Sequence, residues 1–389
     1  MHSRVRNGSS ISGLTLNGDV SGQPRTITIT NTGDAAATGL DIDYPTWPTG
    51  TTATSDCGAN LAASATCTIT VTPSTTPTSN CSTAGIAPTP GVITVSATGV
   101  ADVTSNVVVL NYGCIYQGGY IFAMTETADT AESIGGTVVT QTDQAPRWPG
   151  GIVWSSNGMG SAAANVSYDI IPGIAETSLS AGPSPIPTYA TAQTTFNTTY
   201  VNESTYLFPS SGSFSACNGR TDGACNSRNI LALYNATYNG VDYITTNYGL
   251  GVAPYMLSAG QTTRSYYAAG QCSVTISGQP GWYLPAICEM GPDSNGSGCS
   301  VGTQNMVTNL PSLLGIADNN GALTTACSWG NSGLNSTNCL AGFYWSSTED
   351  SLYPQDVAWE QYFASGGSGQ FYYNKYDGDG VRCVRVLTP

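Results

Sequence analysis

The sequence predicts an N-terminal all-β sandwich followed by a larger α+β region. Three observations carry this. Residues 11–113 are filled by short runs in which apolar and hydroxyl residues alternate, with Gly, Pro and Asn between them. Segments with helical spacing of apolar residues fall between 226 and 314. The chain then closes on short β-type runs in which six Tyr, three Phe and two Trp fall within residues 343–376.

In the first region the expected strands are Gly13–Asn17, Arg25–Thr30, Leu40–Tyr44, Cys67–Val71, Val92–Ser96 and Asn106–Leu110, punctuated by Asn31-Thr-Gly33, Pro45, Pro73 and Gly99. Strands this short and numerous suit an immunoglobulin-like sandwich. The pattern from Ile29-Thr-Asn31 to Cys57 and Cys67 resembles bacterial immunoglobulin-like modules that serve as stalks. A spacer is therefore preferred to a ligand-binding sandwich, because fold alone does not carry function.

From Tyr116 the texture changes. Gly118–Met124 reads as a strand, and the turn Trp148-Pro-Gly-Gly151 leads into Ile152-Val-Trp154. Residues 172–226 form a long Pro/Ser/Thr/Gly-rich insert without a period, read as an elaborated loop. Helices are expected at 226–234, 263–272 and 304–314, and one opening with Pro285 in its first turn. Strands follow at Phe343–Glu349, Val357–Phe363, Phe371–Tyr376 and Val381–Val386.

Composition narrows the function. The net charge is −14, and Lys375 is the sole lysine. No basic stripe exists to release counterions, so nucleic acid and anionic lipid are poor partners, and no nucleic acid is expected. Twelve cysteines without a CxxC pair favour disulfides in an oxidising compartment over zinc or redox sites. The one histidine, His2, lies outside every expected element, which removes Ser-His-Asp, Cys-His and histidine-rich metal sites. No run of about 18 apolar residues is present, so no membrane span is expected. A secreted protein of the bacterial outer-membrane surface is expected, its export signal and any lipid anchor removed with the N-terminus.

Five pieces occur in a telling order: Tyr116-Gln-Gly-Gly-Tyr-Ile-Phe122, Gly281-Trp-Tyr-Leu-Pro-x-x-x-Glu289, Tyr344-Trp-Ser-Ser-Thr-Glu349, Ala358-Trp359 and Val381-Arg-Cys-Val-Arg385. Over residues 114–389 this resembles bacterial surface domains of the C-type-lectin-like fold, in the branch related to formylglycine-generating enzymes. The tail from Ala358 through Lys375 resembles the variable region of proteins diversified by retroelements. The resemblance implies a stalk at 11–113, a C-type-lectin-like domain at 114–389 and a variable region at 343–385. It also implies a receptor or adhesin whose specificity is rewritten at asparagine codons. Mutating adenines of such a codon yields Tyr, Asp, Phe, Leu, Ser or Gly, but not Lys, Glu, Gln or Trp.

The residues implied as variable ligand contacts are Asp350, Leu352, Tyr353, Asp356, Tyr362, Phe371, Tyr372, Tyr373, Tyr376, Asp377 and Asp379. Glu360 joins them from strand alternation, which puts Asp356, Ala358, Glu360 and Tyr362 on one face and Val357, Trp359, Gln361 and Phe363 on the core face. Tyrosine offers large amphipathic area at low rotamer cost, and aspartate offers charge-assisted acceptors. Trp282, Glu289, Trp345, Trp359, Lys375, Arg382 and Arg385 read as scaffold, with Glu289 in a structural ion pair to the arginines of the last strand. Candidate disulfides are Cys57–Cys67, Cys81–Cys114, Cys217–Cys225, Cys288–Cys383, Cys327–Cys339 and Cys272–Cys299.

No catalytic residue, metal or cofactor is assigned. Formylglycine-generating chemistry would require a reactive cysteine pair, and Cys288 and Cys383 fit better as an oxidised one. Glu349 and Glu360 as a glycosidase pair have nothing to fix their separation. Calcium has only the loop Asp377-Gly-Asp379-Gly, which more commonly means a tight turn. A monomer that binds a protein or glycan on another surface is expected; the alternative is an adhesin of fixed specificity.

Overall fold

The computed structural model describes residues 3–5, 9–12, 24–73, 81, 87–124, 135–147, 151–154, 171, 173–176, 217–234, 237–238, 241–242, 267–317, 323–325, 339–353, 357–375 and 377–388. The expected strand Gly13–Asn17, the turn Trp148–Gly150 and most of the 172–226 insert lie outside them. The protein is β-rich, with 41% strand against 11% helix. It divides into two compact units, residues 1–138 with 386–389, and residues 139–385.

In the first unit, β1 (Ser3–Val5), β3 (Arg25–Asn31), β6 (Thr66–Thr72) and β5 (Thr52–Ser55) form one sheet in the order β1-β3-β6-β5. A second sheet runs β2-β8-β7-β4, from β2 (Ser9–Ser12), β4 (Asp41–Asp43), β7 (Gly91–Ala97) and β8 (Val100–Leu110). All pairs are antiparallel except β2 with β8. Alternation decides the packing. Ile27 and Ile29 of β3, Ile69 and Val71 of β6, Ile93 and Val95 of β7 and Val107 of β8 point into one shared core, while the intervening threonines face outward. The two sheets thus make a sandwich.

Asn31 explains the Asn-Thr-Gly punctuation. Its buried amide Nδ2 donates to the carbonyls of Ala35 (2.9 Å), Leu61 (2.9 Å) and Ala62 (3.0 Å), and its Oδ1 accepts from Gly33 N–H (3.0 Å). One side chain thereby satisfies the backbone where β3 ends. Further along this unit, β9 (Ile115–Tyr116) and β10 (Gly119–Met124) form a tight hairpin.

The second unit holds α1 (Gly223–Tyr234), α2 (Ala268–Cys272), α3 (Ile287–Met290) and α4 (Met306–Asn309). It also holds a three-stranded antiparallel sheet, β11 (Gly342–Glu349), β12 (Val357–Phe363) and β13 (Gly369–Asn374), in that order. The single helix expected over 304–314 is divided. Pro311 has no N–H to continue α4, so a 3₁₀ turn, Pro311–Leu313, begins there. Pro285 lies before α3 rather than in its first turn, because Glu289 reaches back to accept from Ala286 N–H (2.7 Å) and fixes the helix start at Ile287.

The disulfides are Cys57–Cys67, Cys81–Cys114, Cys217–Cys225, Cys272–Cys383 and Cys288–Cys299. The last two replace the expected Cys288–Cys383 and Cys272–Cys299 pairs. Cys288 instead closes the short loop after α3, and Cys383 lies beside α2, with Cα separations of 5.2 and 5.3 Å that suit disulfide geometry. Cys339 is also oxidised, and Cys327, expected as its partner, lies outside the described residues. This disulfide density assigns the protein to an extracellular or secreted setting. Among the described residues no helix is long and apolar enough to cross a membrane.

Candidate functional site

The β11-β12-β13 sheet separates residues held fast from residues left in water. In register, Trp345 of β11 faces Glu360 of β12, which faces Phe371 of β13; Phe343 faces Tyr362, Ala358 faces Tyr373, and Trp359 faces Tyr372. The central strand β12 is covered on both sides, with Ala358, Trp359, Glu360 and Gln361 all buried. The expectation that Ala358 and Glu360 lie on a display face is therefore wrong: among the described members of that set, only Tyr362 is partly exposed. A middle strand has neighbours along both edges and layers above and below it, so alternation there does not mean inside and outside.

Large apolar side chains, four of them aromatic, are exposed at the margins instead. Leu352 is 76% exposed, Tyr353 53%, Phe371 43%, Tyr372 44% and Tyr373 52%. Phe343, Tyr362 and Phe371 form a continuous ring contact, with centroids 4.8 and 6.0 Å apart, while Tyr372 meets the buried Trp359 edge-on at 5.4 Å. Asp356 and Tyr376 lie outside the described residues.

Buried carboxylates hold these margins. Asp350, expected as a ligand contact, is 3% exposed, and its Oδ1 accepts from Leu352 N–H (3.0 Å) and Tyr353 N–H (2.8 Å). Glu176 accepts from Ser351 N–H (2.8 Å), from the Ser351 hydroxyl, and from Trp359 Nε1 (3.1 Å). Asp350 thus presents Leu352 and Tyr353 without itself facing outward.

On the other margin, Gln370 ties β13 down. Its Nε2 donates to the carbonyls of Ile287 (3.1 Å) and Gly291 (2.8 Å), and its backbone N–H donates to Ser294 Oγ (2.6 Å). The Ser294 loop is closed by Cys288–Cys299 and organised by Asp293, whose carboxylate accepts from the N–H groups of Asn295, Gly296 and Gly298. Burial, the largest single influence, pushes the Asp293 carboxyl up, but the backbone donors acting together outweigh it and hold the group below its usual range.

Beneath the sheet, Lys375 makes a buried 2.6 Å ion pair with Glu349, and its ammonium stands 4.3 Å from the centre of the Trp154 ring. Glu349 also accepts from Ile171 N–H at 3.1 Å. Arg382 pairs with Asp143 (2.6 Å) and donates to the carbonyls of Thr140 and Cys339, while Arg147 (3.1 Å) and the Tyr344 hydroxyl (2.9 Å) complete the shell of Asp143. Arg385 donates to Pro280 O at 2.7 Å.

The ion pair expected between Glu289 and the arginines of the last strand is therefore not formed: Arg382 pairs with Asp143 and Arg385 donates to Pro280 O. Glu289 instead accepts from Tyr283 Oη (2.9 Å), Ala286 N–H (2.7 Å) and Gly223 N–H (3.2 Å). Burial pushes its pKa up to about 7, with Asp222 assisting and the three donors opposing. Trp282 is 5% exposed and donates its Nε1 to Gln279 O (2.9 Å).

Asp379 and Glu360, both expected as contacts, are also buried. Burial first, and then the hydrogen bond between them, raise Glu360 far above the ordinary carboxylate range, and burial raises Asp379 as well. Asp377 is half-buried in the turn after β13, its N–H donating to Asn374 O (2.9 Å). Asp379 faces Glu360, so the Asp377-Gly-Asp379-Gly loop has the hydrogen bonding of a turn. The one grouping of three potential metal donors among the described residues is Asp56 with Cys57 and Cys67, whose sulfurs are joined in a disulfide.

Glu176, Asp143 and Trp154 escaped sequence reasoning. Asp143 had a signal, its four-residue spacing from Arg147. Glu176 had only its charge, within the long Ser/Thr/Pro-rich insert.

No family model and no curated protein matches this chain. Solved structures that match part of the chain include a secreted serine protease, VesC, from Vibrio cholerae (TM-score 0.20, 11% identity, 40% of this chain and 38% of that one). Another is a Bacteroides ovatus GH5 xyloglucanase in complex with a XXXG heptasaccharide (TM-score 0.18, 18% identity, 34% and 23%). The chain spans well under half of either protein, and likenesses of this size define neither fold nor activity.

Proposed function

We propose that this is a ligand-binding protein of the bacterial surface, with an immunoglobulin-like stalk carrying a C-type-lectin-like domain whose contact surface is diversified by a retroelement. The observation that carries the reading is where exposure falls. Five of the eight exposed large apolar side chains among the described residues, Leu352, Tyr353, Phe371, Tyr372 and Tyr373, lie within 22 residues of one another, beside a fully buried scaffold. Apolar exposure concentrated along one stretch of the chain supports an interaction surface, and rigid aromatic anchors lose little entropy on binding. Buried bridges at Cys288 and Cys383, each with its own partner, favour binding over a reactive thiol pair.

The test lies in the DNA. A reverse-transcriptase gene beside the coding sequence, with a near-copy of the last 50 or so codons differing at adenines, is the expected arrangement. A neighbourhood with no such copy would leave an adhesin of fixed specificity.

A further inference from the structure

The exposed aromatic residues belong to an edge strand. β13 is the last strand of its sheet, and Phe371, Tyr372 and Tyr373 are consecutive in it. The backbone of β12 sets which amides of β13 face outward. Val357 N–H and C=O bond to Tyr353 and Asp350, on the side away from β13, so Ala358, Glu360 and Tyr362 turn toward β13. Their partners Tyr373, Phe371 and Gly369 carry the ladder, which leaves the amides of Gln370, Tyr372 and Asn374 pointing away. Gln370 N–H is capped by Ser294 Oγ and Asn374 C=O by Asp377 N–H. Between them, Tyr372 N–H and C=O and Asn374 N–H have no partner among the described residues. An exposed edge of this kind is a template for another strand.

Charge at the edge is one-sided. Lys375, Arg382 and Arg385 are at most 3% exposed, so the local cations are withdrawn. Asp293 stands at the Gln370 end, on the exposed loop whose Ser294 caps β13, and Asp377 stands at the Asn374 end. From Gln370 to Asn374 an extended strand covers about 13 Å, the span of an equal number of residues in a partner.

We propose that β13 takes up an extended segment of a protein partner as a fourth strand, its backbone pairing with Tyr372 and Asn374 and two lysine or arginine side chains four residues apart reaching Asp293 and Asp377. This deepens the reading of the exposed aromatic residues as a contact surface, and rests on it. The rings of Phe371 and Tyr373 on one face and Tyr372 on the other would flank the partner's side chains and stack on its cations.

The test is panning of a phage-displayed library of linear 12-residue peptides on the disulfide-intact protein, followed by backbone N-methylation of the best peptide one position at a time. Peptides with basic residues four apart should enrich, and N-methylation should weaken binding about tenfold at alternate positions only, the cost of one lost hydrogen bond each. The same peptides should fail on a Tyr372→Ala/Tyr373→Ala variant of unchanged melting temperature. No enrichment, glycan-array binding without peptide binding, enriched peptides lacking basic residues, or uniform tolerance of N-methylation would each overturn strand addition. Loss on the tyrosine variant combined with uniform N-methyl tolerance would keep the contact surface and remove the fourth strand. Equal binding to parent and variant would remove both.

Discussion

Replacing Lys375 by Met separates scaffold from surface at a distance of two residues from Tyr373. The ammonium sits 2.6 Å from Glu349 Oε1, with side-chain exposures of 4% and 1%, and 4.3 Å from the Trp154 ring. Met preserves most of the side-chain volume, so the substitution tests charge rather than packing. It removes the cation beside the buried Glu349, which keeps the backbone donation from Ile171. Breaking a buried pair from one side costs about 3–5 kcal/mol, whereas removing both charges is often nearly neutral. Lys375→Met should therefore lose about 3–5 kcal/mol, and Lys375→Met/Glu349→Gln should regain most of it. Tyr373→Ala, at a 52% exposed position, should stay within about 0.5 kcal/mol of the parent. Urea unfolding followed by tryptophan fluorescence reads all three, since Trp154, Trp345 and Trp359 are buried. A loss below about 1 kcal/mol for Lys375→Met, or a larger loss for Tyr373→Ala, would refute this division of the sheet.

Two further outcomes follow from burial. Glu360, Asp379 and Glu289 have folded pKa values above those of the unfolded chain, so folding binds protons and stability declines as pH rises from the ordinary carboxylate range to neutrality. Glu360 extends that decline beyond pH 7; melting temperatures at pH 5, 7 and 9 should therefore fall steadily in the parent and flatten above neutrality in Glu360→Gln, and equal slopes would count against the buried carboxyl pair. Gly223→Ala would put a methyl 2.5 Å from Ala286 N, 2.7 Å from Leu284 O and 2.4 Å from Glu289 Oε2, so a loss of about 1–3 kcal/mol is expected in the same urea assay.

How much of this was legible in the sequence depends on whether a residue's neighbours lie nearby in the chain. β3 and β6 were readable because alternating Ile and Thr need only one covered face. Tyr372 and Tyr373 were readable as exposed because their stretch is set among Gly, Asn and Asp, and buried tyrosines need partners for their hydroxyls. Asp350, Glu360 and Asp379 were not. A polar residue near a turn, or on the polar side of an alternating strand as for Glu360, reads as surface, and their burial depends on partners or layers brought from elsewhere, such as Glu176 beside Ser351. The exchange of partners among Cys272, Cys288, Cys299 and Cys383 has the same origin, because cysteine spacing does not fix connectivity. Moving Asp350, Glu360 and Asp379 from display to scaffold shrinks the candidate surface and makes it more apolar.

That smaller surface makes the sharpest test. Deep sequencing of the coding region across many isolates or passaged cultures should show adenine-derived changes concentrated at Leu352, Tyr353, Phe371, Tyr372 and Tyr373, the exposed positions. Trp345, Trp359, Glu360, Lys375 and Arg382 should stay constant, being buried. Substitutions spread evenly over exposed and buried positions, or an unchanging Tyr372 and Tyr373, would contradict a diversified contact surface.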